Sequence, residues 1–194
     1  MAKSLPSDYV EVARWMLGQT PVRTAIAIAG LTLALFLAAL FVAIAFVAMT
    51  TDMRELDTSL PMMVVGLVLV LAIHELTHAL AFRAFGVRPK FRIRRRMKIG
   101  TVFYVSAPGS YLRRDEYLAV GLAPLVLLTL ILLAAAVLIA VGSAFTATVL
   151  AAVALNVAAA VDDMFIAYEV LSYPGETYFA DTGYGFIAYA RAGT

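Results

Sequence analysis

The residues of this chain whose types and spacing suit chemistry are His74-Glu75-Leu76-Thr77-His78. The chain has two histidines, and both stand in this motif. At i and i+4 on a helix, two imidazoles share one face about one turn apart. That spacing lets two nitrogens bind a single Zn²⁺, and an acid directly after the first histidine suits general-base work on water. There is no cysteine, which excludes a disulfide framework and any thiolate-held zinc or iron–sulfur group. One Zn²⁺ per chain is therefore the cofactor these residues point to.

The motif sits in an unusual setting. The 194 residues are 63% hydrophobic and 14% charged, whereas soluble domains carry about 25% charged residues. The composition indicates an integral membrane protein. Ionisable groups in an apolar helix are costly and mark function by default. The first apolar run begins only at Ala25 and continues to Thr51 without a charge. It exceeds the roughly 7–15 residues of a signal-peptide core, so no cleavable signal is expected.

Four spans are expected, at about 25–50, 60–82, 116–141 and 145–171. The uncharged stretch Tyr117 to Val161 would extend about 67 Å as one helix, twice the roughly 30 Å hydrocarbon core. It must fold back, and Gly142-Ser143 is the best turn. A short acidic loop with Asp52, Glu55 and Asp57 separates the first two spans. Ten of the 15 Lys and Arg residues lie between Arg83 and Arg114. Positive-inside bias places that 83–115 loop and both termini in the cytoplasm of a multi-pass cell-membrane protein. The loop can also meet anionic lipid headgroups.

The third metal ligand must be an oxygen, because a catalytic zinc keeps three protein ligands and an open position. Counting 1.5 Å per residue from Leu60 puts His74 and His78 about 21 and 27 Å deep. Counting from Phe145 on the last span puts Asp162 and Asp163 about 26–27 Å deep. Helical angle separates the two acids. Asn156 lies seven residues before Asp163 and within about 20° of it, while Asp162 points about 100° away. Asp163 is therefore expected as the ligand. Asp162 and Asn156 are expected to orient substrate or to stand behind the ligands.

Outside the spans, residues 1–23 are amphipathic. Asp8 and Glu11 suggest a capping box opening a short interfacial helix through Leu17, with Trp15 at the membrane surface. In the basic loop, Lys98 to Val105 reads as a strand, paired in a hairpin with 90–96. Such a strand beside a protease site could accept an extended substrate along its edge. The tail 172–194 holds Tyr173, Tyr178, Tyr184, Phe186 and Tyr189 around Asp181 and reads as a short β-rich segment without chemistry. The fold class expected is an all-α membrane protein: four transmembrane helices, a cytoplasmic β-hairpin-like loop and a C-terminal interfacial segment. Residues 1–194 are read as a single membrane-embedded domain.

The arrangement resembles the membrane-embedded zinc metalloproteases. Site-2 proteases pair H-E-x-x-H on one span with an Asp on a later span, usually as Asn-x-x-Pro followed by Asp-Gly. Here Asn156 and Asp163 are present without that proline, and Met164 stands in the place of glycine. The chain is more similar to the "putative zincin peptidase" family of small four-span prokaryotic membrane proteins. The matching pieces are His74-Glu75-x-x-His78, Tyr117 through Ala123-Pro124-Leu125, Leu155-Asn156 with Asp163, and Asp181 with Gly185-Phe186. The resemblance implies a zinc peptidase.

The function expected is hydrolysis of peptide bonds of membrane-associated substrates near the cytoplasmic face. His74, His78 and Asp163 hold zinc, and Glu75 is the general base. The expected partners are the lipid bilayer and a peptide or transmembrane protein substrate; nothing points to nucleic acid. The alternative is a non-catalytic metal-binding membrane protein: a sensor, a transporter or an inactive relative of the proteases. A transporter would place its ligands near the midplane, often on broken helices. Metal storage alone does not need an acid directly after the first ligand.

Overall fold

The computed structural model describes residues 3–16, 53–96, 100–138, 144–183 and 185–193. The span expected at 25–50 and the turn at Gly142-Ser143 lie outside the described residues. In chain order the elements are β1 (Tyr9–Met16), α1 (Met53–Ala84), β2 (Lys90–Arg96), β3 (Gly100–Ser106), β4 (Tyr111–Arg113) and α2 (Arg114–Ala123). A five-residue π-helical stretch, Pro124–Leu128, leads into α3 (Thr129–Leu138). Then come α4 (Ala144–Ala159), α5 (Val161–Leu171), β5 (Tyr178–Asp181) and β6 (Gly185–Arg191).

Two helical stretches, Val64–Ala84 and Arg114–Ala135, are long and apolar enough to cross a membrane. Thr148–Ala159 and Val161–Leu171 together make a third if the bent pair is one span. The last span was expected as one straight helix. It breaks at Ala160 and bends by 43°. The acidic segment expected as a loop is helical from Met53 onward. Its Met-Arg-Glu-Leu run consists of good helix formers, so the chain enters the helix before the apolar stretch begins.

The chain divides into two compact units. The first comprises Met1–Pro21, Glu75–Ala123 and Asp162–Thr194. It holds a four-stranded antiparallel sheet in the order β1-β6-β5-β4 and the separate hairpin β2-β3. The second comprises Val22–His74 and Pro124–Val161. Within it, Val70, Leu128 and Ala152 form a small buried cluster with Leu132 against it.

The sheet corrects the expectation for the N-terminus. Residues 9–16 form a strand, not an interfacial helix. Tyr9-Val10-Glu11-Val12-Ala13-Arg14-Trp15-Met16 is rich in β-branched and aromatic residues, and these prefer a half-buried pleated surface. After a bulge between Glu11 and Ala13, Ala13 and Trp15 turn toward the core while Arg14 and Met16 face out. The apparent capping acids are used otherwise. Asp8 pairs with Arg191 at 2.9 Å, and Glu11 pairs with Arg14. The hairpin does form as expected, with Phe91 opposite Val105.

The core of the first unit is aromatic. Phe179 and Phe186 are fully buried and cross edge-to-face at 5.0 Å. Trp15 stacks on Phe186, Tyr117 stacks on Phe179, and Tyr173 meets both phenylalanines edge-on. Burial of each phenylalanine contributes about 1.5–3 kcal/mol. Phe82, Val87, Val120 and Val170 complete the cluster, so the end of α1, α2 and α5 are anchored on the tail. Gly185 permits a close approach of β6 to β1. Its φ is 151°, and a Cβ there would lie 2.2 Å from the Trp15 carbonyl oxygen.

Candidate metal centre

Helix α1 turns its polar residues inward. His74 and His78 are 3% and 9% exposed, whereas Leu69, Leu76 and Leu80 on the same helix are about half exposed. A soluble helix shows the reverse pattern. Here the exposed side is the apolar one, and the imidazoles are withdrawn into protein.

Each imidazole is held by an acceptor at Nδ1. His78 Nδ1 lies 3.0 Å from the Val120 carbonyl oxygen. A carbonyl only accepts, so His78 Nδ1 carries the proton and donates it. His74 Nδ1 lies 2.9 Å from Asn156 Oδ1. The orientation of that amide is fixed by its other end. Asn156 Nδ2 donates to the Pro124 carbonyl at 2.9 Å and to Thr129 Oγ1 at 3.0 Å. Oδ1 is therefore the atom facing His74, and His74 Nδ1 also carries a proton. With each Nδ1 engaged by an oxygen acceptor, Nε2 is the ring nitrogen that would ligate a metal.

Asp163 meets His78 from the first turn of α5. Its Oδ2 lies 3.3 Å from His78 Nε2. Ligands at about 2.05 Å in a tetrahedral site stand about 3.3 Å apart, so this separation suits two ligands of one zinc. One ligand-type atom from each of His74, His78 and Asp163 lies within 4.8 Å of the others. Two neutral imidazole nitrogens and a carboxylate oxygen are a donor set that zinc accepts. The break at Ala160 contributes as well. It makes Asp162 and Asp163 the first-turn acids of a helix, where the free N–H groups and the macrodipole favour negative charge.

Asp162 is exposed. Asn156 is fully buried with both ends of its amide engaged, so it stands behind His74 and has no donor left over for a substrate. Asn156 and Asp163 were expected on one stripe of a continuous helix. The bend intervenes, and each instead meets its own histidine. Glu75, half-buried, accepts a 2.9 Å hydrogen bond from the Val105 N–H of β3.

Asp181 is singled out in the sequence only by its family match, and no role at the site was assigned to it. Its Oδ2 accepts from the Ala107 N–H at 3.0 Å and its Oδ1 from the Gly183 N–H at 2.8 Å. Burial pushes its carboxyl above the ordinary range, opposed by those two N–H groups and by the charges of His78 and Arg92. Asp181 thus ties the chain just past β3 to the C-terminal sheet. Besides that match, the sequence signal was an acid set among aromatic and β-forming residues, ahead of two glycines.

A model of the family described as "Putative zincin peptidase" matches residues 67–178. That stretch covers more than half of the chain and contains the motif, Asn156 and Asp163. The chain belongs to this family. No curated protein and no solved structure matches it. Membership in a zincin peptidase family implies zinc, and the His74, His78 and Asp163 group supplies a donor set that fits it.

Proposed function

We propose that this protein is a membrane-embedded zinc metallopeptidase that hydrolyses peptide bonds of membrane-associated substrates near the cytoplasmic face. The observation that carries the reading is the grouping of His74, His78 and Asp163, beside Glu75, in a chain of the zincin peptidase family. The four-span layout, with both termini cytoplasmic, belongs to the same proposal. It is supported by the two apolar helices, the bent third pair and the basic loop.

His74, His78 and Asp163 would hold one Zn²⁺ per chain. Bound there, zinc supplies Lewis acidity to polarise the scissile carbonyl and lowers the pKa of water toward about 7. The protein supplies the rest. The Nδ1 bonds from His74 and His78 hold both rings in the ligating tautomer. The Glu75 carboxylate takes the proton of the attacking water and passes it to the leaving nitrogen, and the Val105 N–H fixes where that carboxylate lies. The β3 strand that carries this N–H would offer further backbone groups to an extended peptide. Lys90 and Arg92, exposed on β2, suit the anionic headgroups beside the end of α1.

The test is chelation and restoration. Purified protein in lipid nanodiscs, given a panel of transmembrane peptides, should lose cleavage on stripping with chelator and regain it with one equivalent of Zn²⁺. Binding of zinc without cleavage of any peptide would favour the non-catalytic reading.

A further inference from the structure

The two histidines are oriented by groups that lead back to one residue that carries no chemistry of its own. In an α-helix the carbonyl of residue i accepts from the N–H of residue i+4. Val120 is the residue four before Pro124, and proline has no N–H to send back. The helix therefore leaves the Val120 carbonyl without its usual donor at the level of the motif, and His78 Nδ1–H takes that place at 3.0 Å. The π-helical stretch begins at the same proline. Pro124 is fully buried, and its own carbonyl accepts from Asn156 Nδ2, whose Oδ1 holds His74.

We propose that Pro124 is the positioning residue for both histidines. By lacking an N–H it reserves the Val120 carbonyl for His78. Through its carbonyl it fixes the Asn156 amide that orients His74. A residue with an N–H at this position would send that hydrogen to Val120 and compete with the imidazole. An apolar span has no water to offer the ring instead. The inference deepens the metal-site reading and rests on it, but it also concerns the rings when no metal is bound.

The test uses the fact that the chain has two histidines and no others. Ring-¹⁵N-histidine protein in nanodiscs gives two pairs of nitrogen signals, and their shifts report the tautomer of each ring. In metal-free wild type, both rings should be protonated at Nδ1. Pro124→Ala, which restores the N–H, should move the His78 pair toward a mixture of tautomers. Zn²⁺ affinity, read by chelator competition, should fall about 10–100-fold. Asn156→Ala should move the His74 pair and leave the His78 pair in place. Circular dichroism checks insertion and helix content, and Pro124→Ser, which also restores the N–H, serves if Pro124→Ala does not insert.

Unchanged His78 signals in an inserted Pro124 variant would overturn the proposal. A wild type that binds no zinc would reject the metal site instead, and the tautomer shifts would still decide the role of Pro124. Unchanged tautomers with weakened zinc binding would also overturn it, because the loss would then come from general disturbance of the helix.

Discussion

Asp162 and Asp163 are neighbours with different surroundings. Asp163 stands 3.3 Å from His78 Nε2, while Asp162 is exposed. A carboxylate that binds Zn²⁺ is relieved of much of the cost of its charge. Asp163→Asn should therefore lose zinc and activity together, and Asp162→Asn should keep most of both. Zinc stoichiometry on the two purified variants checks this; loss in Asp162→Asn alone would exchange the roles. Asp181 offers a second test at this scale. Its carboxyl is raised by burial, so the folded protein holds that proton more tightly than the unfolded chain. The stability it contributes is complete below about pH 4, the ordinary unfolded value, and is lost as pH rises through the folded value. The unfolding free energy of wild type minus that of Asp181→Asn should accordingly fall with pH from about 4 upward. A difference that stays constant across pH would show that burial does not raise Asp181.

Elements were legible in the sequence to the extent that their signals were local. The α1 helix and its histidine face follow from i, i+4 spacing, and the β2–β3 hairpin follows from β-branched residues between glycine and proline. The N-terminal strand was not legible. Its pairing partner, β6, lies about 175 residues away, and Asp8 with Glu11 imitates a helix start. The break at Ala160 was also hidden, because alanine there gives no breaker signal and no glycine or proline stands near it. The second-layer groups at the site escaped for a related reason. The Val120 and Pro124 carbonyls and the Val105 N–H belong to the backbone, and side-chain types do not announce them. The β1–β6 contact carries its own prediction. Gly185→Ala would drive a Cβ into the Trp15 carbonyl at a φ that L-residues rarely adopt. It should lower the thermal midpoint of the purified protein and shift the Trp15 emission as its stacking on Phe186 is disturbed. An unchanged midpoint and spectrum would show that the strand accommodates a side chain there.

Across the whole molecule, apolar helices and a strongly basic loop combine with a polar centre drawn inward, the pattern expected of chemistry done at a bilayer. The absence of cysteine makes topology directly measurable. Single cysteines at Ser59 and Gly100 should label from opposite sides of the membrane. Labelling of both from outside would remove the topology on which the cytoplasmic placement of the site depends. In the proposed mechanism Glu75 performs the proton transfer at a site whose metal is held by other residues. This role is tested most directly by measuring zinc per chain and peptide cleavage on the same sample of Glu75→Gln. The variant should hold one zinc per chain, as in wild type, with cleavage lower by about 10²–10⁴-fold. Wild-type cleavage at full zinc occupancy would contradict the assignment of Glu75. Loss of the zinc itself would place Glu75 among the ligands.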